Sequence, residues 1–438
     1  TAQYNWGYDP LNYNVPEEQY ASSGADYTAR IREVKTMINE LHKRGIRVIM
    51  DVVYNHTYNN TPFSGISNRY YYTDARKDLA GCGVALNCGE PMVSRFIQDS
   101  MNYWASEFQI DGFRMDLMGI FFYTNVNDWA DSLNTNNPGA NILLYGEPWN
   151  GYYQGADADY ANRVRLGKAP LMGTHHAGVF SSKFREAIKG DNDSTGKGYM
   201  FNTVPSWTGQ IPAGVKGSIM AVKSTNALAD DWDSMFAYDP EQSINYISAH
   251  DNFCLWDKIK KCGYDSAYGQ RVDKFGMCIV FTSQGIPFMH GGDEMLRTKV
   301  YNNDWTYAHN SYNAPDSYNK YLWNWKVANS AVYDYYRNMI AIRRAHPGFR
   351  MTTWDMISSN VTSSASANGQ IITTTINAAA NADTWSKIMM IYNSGSDFTQ
   401  PLSGSWKIAA QDENAAVGGT DAGSSIVCKG TAVTILYQ

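Results

Sequence analysis

The sequence predicts an α/β chain in which parallel strands and crossover helices occupy residues 1–347 and a small antiparallel β-domain occupies residues 348–438. Three observations carry that expectation. Short β-branched segments alternate with amphipathic helical segments through the first two-thirds. Acidic and His residues recur just past the ends of the predicted strands. After Pro347 the composition shifts to Ser, Thr, Ala, Asn and Gly, with short strands between turn residues.

The first unit begins at Asp26, where Ile31, Val34, Ile38 and Leu41 follow at helical spacing. Gly45 supplies a left-handed stop, and Ile46 to Val53 reads as a strand. A second helix is predicted from Pro91 to Phe108, with Val93, Phe96, Ile97 and Trp104 on one face, leading to a strand from Gly112 to Leu117. Further strands are predicted at Ile142–Tyr145, His176–Phe180, Ile244–Ser248 and Ile286–His290, with helices ending at Gly190 and spanning Val272–Ser283. That makes six strand–helix units up to about residue 345. The stretch from Gly291 to Trp323 has little periodicity, and loops of that length are usually functional. In the last segment, Ile371–Ile376, Ile388–Tyr392 and Thr431–Tyr437 read as strands.

Composition narrows the function classes. With 438 residues the chain can bury a large core. A net charge of -6 argues against a nucleic-acid partner, which calls for a basic patch. No apolar run reaches the roughly 18 residues of a membrane span. The 31 Tyr and 13 Trp fit either a large aromatic core or a sugar-binding cleft, since pyranose C–H faces stack on such rings. Cys82 and Cys88 bracket a Gly-rich loop and could pair in an exported protein or remain two thiols. Many Tyr and Asn and a low charge favour a secreted or cell-surface protein, with the cytoplasm as the alternative.

Four segments place chemistry at strand ends, the rim that holds the active site in a barrel. They are Asp51-Val52-Val53-Tyr54-Asn55-His56, Gly112-Phe113-Arg114-Met115-Asp116, Tyr145-Gly146-Glu147-Pro148-Trp149 and Ser248-Ala249-His250-Asp251-Asn252. Arg114 and Asp116, two apart on a strand, share a face, so the guanidinium should keep Asp116 ionised as a nucleophile requires. Glu147, flanked by Pro148 and Trp149, is expected in an apolar setting that raises its pKa and suits a general acid. Together they match two-carboxylate glycoside hydrolysis. Asp251 is a third carboxylate, suited to oppose the charge of an oxocarbenium-like transition state. Each residue alone has a plainer reading, as a cap, a turn or a hydrogen-bonded structural histidine. Asp51 in particular reads as a structural hydrogen-bonding group.

These four segments resemble the conserved regions of the α-amylase superfamily of glycoside hydrolases. The resemblance implies a (β/α)8 barrel followed by a C-terminal antiparallel β-sandwich, and a retaining mechanism. It implies Asp116 as nucleophile, Glu147 as acid/base and Asp251 as transition-state stabiliser, with His56, Arg114, Trp149 and His250 around the sugar. Tyr4-Asn5-Trp6-Gly7-Tyr8-Asp9-Pro10 is similar to the heptapeptide of type I pullulanases, in which the second Tyr, here Tyr8, stacks on the sugar. The segment Asn310 to Ser317 resembles a substrate loop of that family and implies Asp316 as a sugar ligand. Met115 departs from the family, where a Phe is usual.

The implied substrate is an α-glucan such as pullulan, amylopectin or a limit dextrin, cut at α-1,6 bonds. The alternatives are an α-1,4-acting amylase or amylopullulanase, a transglycosylase, and a non-catalytic starch-binding protein. No cofactor is required. A structural Ca²⁺ is an option, with Asp191-Asn192-Asp193 as its loop. Because the heptapeptide follows the second barrel strand in that family, the first strands are expected to lie outside this chain. A second polypeptide would then supply them together with N-terminal modules.

Overall fold

The computed structural model describes residues 6–67, 69–73, 79–151, 157, 159–231 and 233–438. Tyr4 and Asn5 of the heptapeptide lie outside the described residues. The chain divides into two compact units, one of Gly7–Phe180 with Ser224–Asp231 and one of Thr1–Trp6, Ser181–Lys223 and Trp232–Gln438.

The unit that begins at Gly7 alternates strand and helix as expected. Helix α1 (Ala29–His42) gives way to Gly45, which takes the left-handed φ of 69° that ends it. Strand β1 (Ile49–Val52) follows, then α2 (Pro91–Phe108), β2 (Gly112–Met115), α3 (Tyr123–Asn136), β3 (Leu143–Gly146) and β4 (Ala177–Phe180). Pro91 opens α2 at a position whose N–H has no helical partner anyway. Val93, Ile97, Met101, Trp104 and Phe108 form one buried stripe along it. Trp129 Nε1 of α3 donates to the Ser94 carbonyl of α2 at 3.1 Å, which fixes the two helices side by side. The four strands form a parallel ladder in chain order. Its register sets Asp51 opposite Arg114, and Arg114 opposite Tyr145.

The other unit carries α4 (Ser182–Lys189), β5 (Ser243–Asn245), α5 (Ala267–Thr282), β6 (Ile286–Pro287) and α6 (Ser330–Ala345). Strands β5 and β6 pair in parallel, Ile244 opposite Ile286. Gly190, at φ 84°, closes α4. Antiparallel strands then follow: β7 (Val361–Ala365), β8 (Ile371–Asn377), β9 (Lys387–Asn393), β10 (Phe398–Pro401), β11 (Lys407–Gln411), β12 (Asn414–Asp421), β13 (Ser425–Cys428) and β14 (Ala432–Tyr437). They build a sheet in the order β12-β11-β14-β9-β8-β7 and a separate β10–β13 pair. This β-rich segment shares its core with α5 and α6 through Phe275, Tyr336, Ile388 and Tyr392. The hydroxyls of Thr282 and Tyr392 lie 2.8 Å apart, and Arg343 donates to the carbonyls of Phe281, Ser283 and Gly285.

Cys82 and Cys88 do not pair, and among the described residues there is no disulfide. Their side chains go to different partners. The buried Cys88 thiol lies 3.7 Å from the Ile120 carbonyl, while Cys82 Sγ lies 3.8 Å from His56 Nε2. Among the described residues no helix is long and apolar enough to cross a membrane.

After β6, Asp293 is fully buried and accepts from the Ser248 hydroxyl, with His290 Nδ1 3.8 Å away. Burial pushes its carboxyl up to about 7, a rise that the Ser248 hydroxyl opposes and the Glu294 carboxylate reinforces. The folded state therefore keeps a proton that the unfolded chain releases near pH 4. This contribution to stability is complete below about pH 4 and is lost as pH rises through about 7. Asp293→Asn removes that proton uptake. Urea midpoints at pH 5 and pH 8 should differ less in the variant than in the parent, and an equal difference would refute the assignment.

Candidate active site

Arg114 is the hub of the site in the unit that begins at Gly7. Its position on β2, opposite Asp51 on β1 and Tyr145 on β3, aims the guanidinium along the strand ends. Nη1 donates to Asp116 Oδ1 at 3.0 Å and to Asp51 Oδ1 at 2.9 Å. Nη2 donates to Glu147 Oε1 at 2.5 Å. Burial works against a charge here, but the carboxylates of Glu147 and Asp51 outweigh it and raise the Arg114 pKa well above its ordinary value. Arg114, Asp116 and Glu147 are all buried, at 6%, 7% and 4% exposure, so their interactions are only weakly screened by solvent.

Asp116 follows β2 directly. Its Oδ2 accepts from Asn55 Nδ2 at 2.8 Å, and the same amide reaches the Asp116 carbonyl at 2.9 Å. Both carboxylate oxygens are thus fixed, one by Arg114 of the same strand and one by Asn55 from the end of β1. Leu117 then turns left-handed, with φ 43°, and its N–H donates to Glu147 Oε2 at 2.8 Å. That turn links the loop after β2 to the carboxylate after β3.

The apolar setting expected for Glu147 is not what surrounds it. An ion pair to Arg114 and the Leu117 N–H hold its two oxygens. The sequence context misled because Pro148 and Trp149 are neighbours in the chain, whereas the groups that face the carboxylate come from β2 and the turn after it. Trp149 is half-buried, and its carbonyl accepts from Gly119 N–H at 3.1 Å, as does the Glu147 carbonyl at 2.9 Å. A Cβ on Gly119 would lie 2.3–2.7 Å from the Trp149 backbone, so only glycine permits this contact.

Tyr8 joins the same cluster. Its hydroxyl donates to Asp51 Oδ2 at 2.5 Å and lies 3.4 Å from Arg114 Nη1. Burial raises the Tyr8 pKa strongly, which keeps the phenol a neutral donor. His56 Nδ1 contacts Asn55 Oδ1, and Nε2 lies 3.6 Å from Asp9. The Arg114 guanidinium also lies over the Phe180 ring, 5.8 Å from its centre. Tyr8, His56, Arg114, Asp116 and Glu147 therefore share one hydrogen-bonded cluster, with Asp51 and Asn55 as its supports. The supporting part of Asn55 was not foreseen. Its one signal was a place four residues after Asp51 in the first motif.

His250, Asp251 and Asp316 belong to the other unit. His250 Nε2 lies 3.8 Å from Asp251 Oδ2, and the Trp6 indole meets the His250 ring edge-on at 4.7 Å. Trp6 Nε1 donates to Asn319 Oδ1 at 3.2 Å, and its backbone N–H to the Tyr312 carbonyl at 3.1 Å. Asn319 Nδ2 donates to the carbonyls of Ser311 and Ala314, clasping the loop that leads to Asp316. Asp316 opens a four-residue helix on the exposed side of that loop.

The Asp191–Asp193 loop does not fit calcium. Lys258, which is fully buried, occupies its oxygens, donating to Asp191 Oδ1 at 3.2 Å, to the Ser194 carbonyl at 2.8 Å and to the Gly196 carbonyl at 2.7 Å. An ammonium takes the place that a cation would hold. Among the described residues no group of three or more His, Cys, Asp or Glu is arranged to hold a metal ion.

Comparison with known proteins agrees with this geometry. Residues 63–322 match the family model described as alpha amylase, catalytic domain. A pullulanase from Bacillus subtilis (strain 168) is 34% identical over 359 residues, covering 80% of this chain and 46% of the relative. The solved pullulanase from Bacillus acidopullulyticus superposes with a TM-score of 0.88 at 37% identity, covering all of this chain and 52% of that one. A type I pullulanase from Bacillus subtilis str. 168, solved in complex with maltose, gives a TM-score of 0.88 at 29% identity, covering 99% of this chain and 59% of that one. The chain thus spans about half the length of these relatives.

Proposed function

Because the chain belongs to the α-amylase superfamily of glycoside hydrolases, we propose that it carries the catalytic site of a retaining debranching enzyme that cleaves α-1,6 bonds in pullulan, amylopectin and limit dextrins. The observation that carries this reading is the pairing of Asp116 and Glu147 to one guanidinium. A single Arg114 reaching both carboxylates keeps them close. Retaining hydrolysis needs carboxyl groups roughly 5–5.5 Å apart, whereas inversion needs roughly 6.5–9.5 Å to admit a water.

In this reading Asp116 attacks the anomeric carbon while the bond from that carbon to the leaving oxygen breaks. Glu147 delivers its proton to that oxygen. Water then attacks the same carbon, gives a proton to Glu147 and releases Asp116 from its ester. Arg114 and Asn55 hold the attacking carboxylate in place, which supplies the near-attack orientation that covalent catalysis depends on. The motif order gives Asp251 the third part, opposing positive charge at the sugar ring, and gives Tyr8, His56, Trp149, His250 and Asp316 to substrate binding. The specificity for α-1,6 bonds rests on the likeness of the segment from Tyr4 to Pro10 to the pullulanase heptapeptide and on relatives whose names are pullulanase.

The stereochemistry of the first product tests the mechanism. Proton NMR of a pullulan digest in its first minutes should show the new reducing end as the α-anomer, with the β-anomer growing in by mutarotation. A β-anomer first would mean inversion and would remove the covalent role from Asp116.

A further inference from the structure

We propose that Lys299 is a positioning residue that holds the backbone on either side of Asp251 in its working conformation. This inference rests on the assignment of Asp251 as a catalytic carboxylate made above. Lys299 is 2% exposed. Its ammonium donates to the carbonyl of His250 at 2.9 Å and to that of Asn252 at 2.5 Å. These two carbonyls bracket Asp251. Asn252 adopts a left-handed backbone, with φ 60°, so the chain reverses sharply just past the acid. Left-handed backbone is rare outside glycine, and it persists where the surroundings over-determine it.

The clamp is itself anchored. Asp257, fully buried, accepts from Lys299 N–H at 2.7 Å and from the Thr298 hydroxyl at 2.5 Å. Asn252 Nδ2 donates to both oxygens of Asp193, at 2.8 and 3.0 Å, which holds the turn from the other side. The Lys299 ammonium lies 5.8 Å from the centre of the Trp6 ring, and Trp6 packs on His250. A buried ammonium is costly to desolvate and persists only where good acceptors surround it. Two carbonyls on consecutive sides of one acid give a reason for it to be there. An ammonium has three donors and no acceptor, so it can draw in two carbonyls at once without competing for the Asp251 carboxylate's place at the sugar. The sequence hid this role, because Lys299 lies 48 positions after Asp251 in an irregular segment.

The test compares Lys299→Met, which keeps the stem and removes the charge, with Lys299→Arg, which keeps cationic donors. The readouts are kcat and KM on pullulan, the melting temperature, and amide hydrogen exchange over residues 250–252. Lys299→Met should lower kcat by about 10²-fold, the cost of misplacing a catalytic group by roughly 1 Å. KM should stay within about threefold, since the group acts in the transition state more than in binding. Exchange at 250–252 should quicken, and Lys299→Arg should recover part of both losses. If Lys299→Met does not fold, Lys299→Arg carries the test: kcat and protection at 250–252 must move together. A folded Lys299→Met with kcat near the parent's, or a variant that loses protection while keeping kcat, overturns the proposal. Asp251→Asn is measured in parallel. If it retains parental kcat, the catalytic assignment of Asp251 fails, and exchange at 250–252 still judges the clamp by itself.

Discussion

Asp116→Asn is expected to lower kcat on pullulan by on the order of 10⁴-fold or more, because losing a nucleophile removes the covalent route altogether. The amide cannot form the glycosyl ester, yet it is nearly the same size and can still accept from Arg114. The loss should therefore come without unfolding. Stability should fall by about 1–3 kcal/mol, since the amide nitrogen now faces the Asn55 donor and Arg114 keeps two of its three carboxylates. Urea denaturation alongside the kinetics separates the two effects. A smaller variant, Asp116→Ala, opens the position to an external anion. Added azide should then restore turnover and give a glycosyl azide of inverted configuration. Parental kcat in Asp116→Asn would place the nucleophile elsewhere.

Arg114→Leu should be the most damaging change to the site that leaves every proposed catalytic carboxylate in place. It strips the partner from Asp51, Asp116 and Glu147 at once. Breaking a buried pair by removing one member costs about 3–5 kcal/mol, because the remaining charge is left uncompensated. Asp116 and Glu147 would also lose the donor that orients them. A nucleophile out of its near-attack position reacts slowly, so kcat/KM should fall by about 10³-fold near neutrality. Arg114→Lys should recover little. A lysine is a point charge on a flexible stem and cannot span three acceptors as the planar fork does. A kcat/KM near the parent's in a folded Arg114→Leu, with only stability reduced, would show that Arg114 is structural and does not position the pair.

Much of this was legible in the amino-acid sequence, and the parts that were not share a cause. The α1–β1 and α2–β2 units were readable because a single stripe, Val93, Ile97 and Trp104 in α2, goes with a clear stop at Gly45 and a clear start at Pro91. Helix α3 was not, although Val126, Trp129, Ala130 and Leu133 mark its buried face. Those residues are spaced among Asn, Asp, Ser and Thr, whose weak helix propensity masks the period. Strands β10, β11 and β13, unlike the apolar β14, mix small and polar residues and gain their order from pairing across the sheet, which no local pattern reveals. In the site, the link between Arg114 and Asp116 follows from the two-residue period of a strand. Asn55 on Asp116 and Lys299 around Asp251 do not follow from any local pattern, because each depends on contacts made only after the chain folds. The setting of Glu147 was misjudged for the same reason, since chain neighbours stood in for spatial ones.

The central claim is that this site hydrolyses α-1,6 bonds, and one product analysis tests it most directly. The chain is incubated in parallel with pullulan and with a linear α-1,4 glucan, and the released sugars are separated by length. Maltotriose from pullulan, with the linear glucan left at its original length, is the predicted result. Shortening of the linear glucan while pullulan stays intact would contradict the account and make the site an α-1,4-acting one.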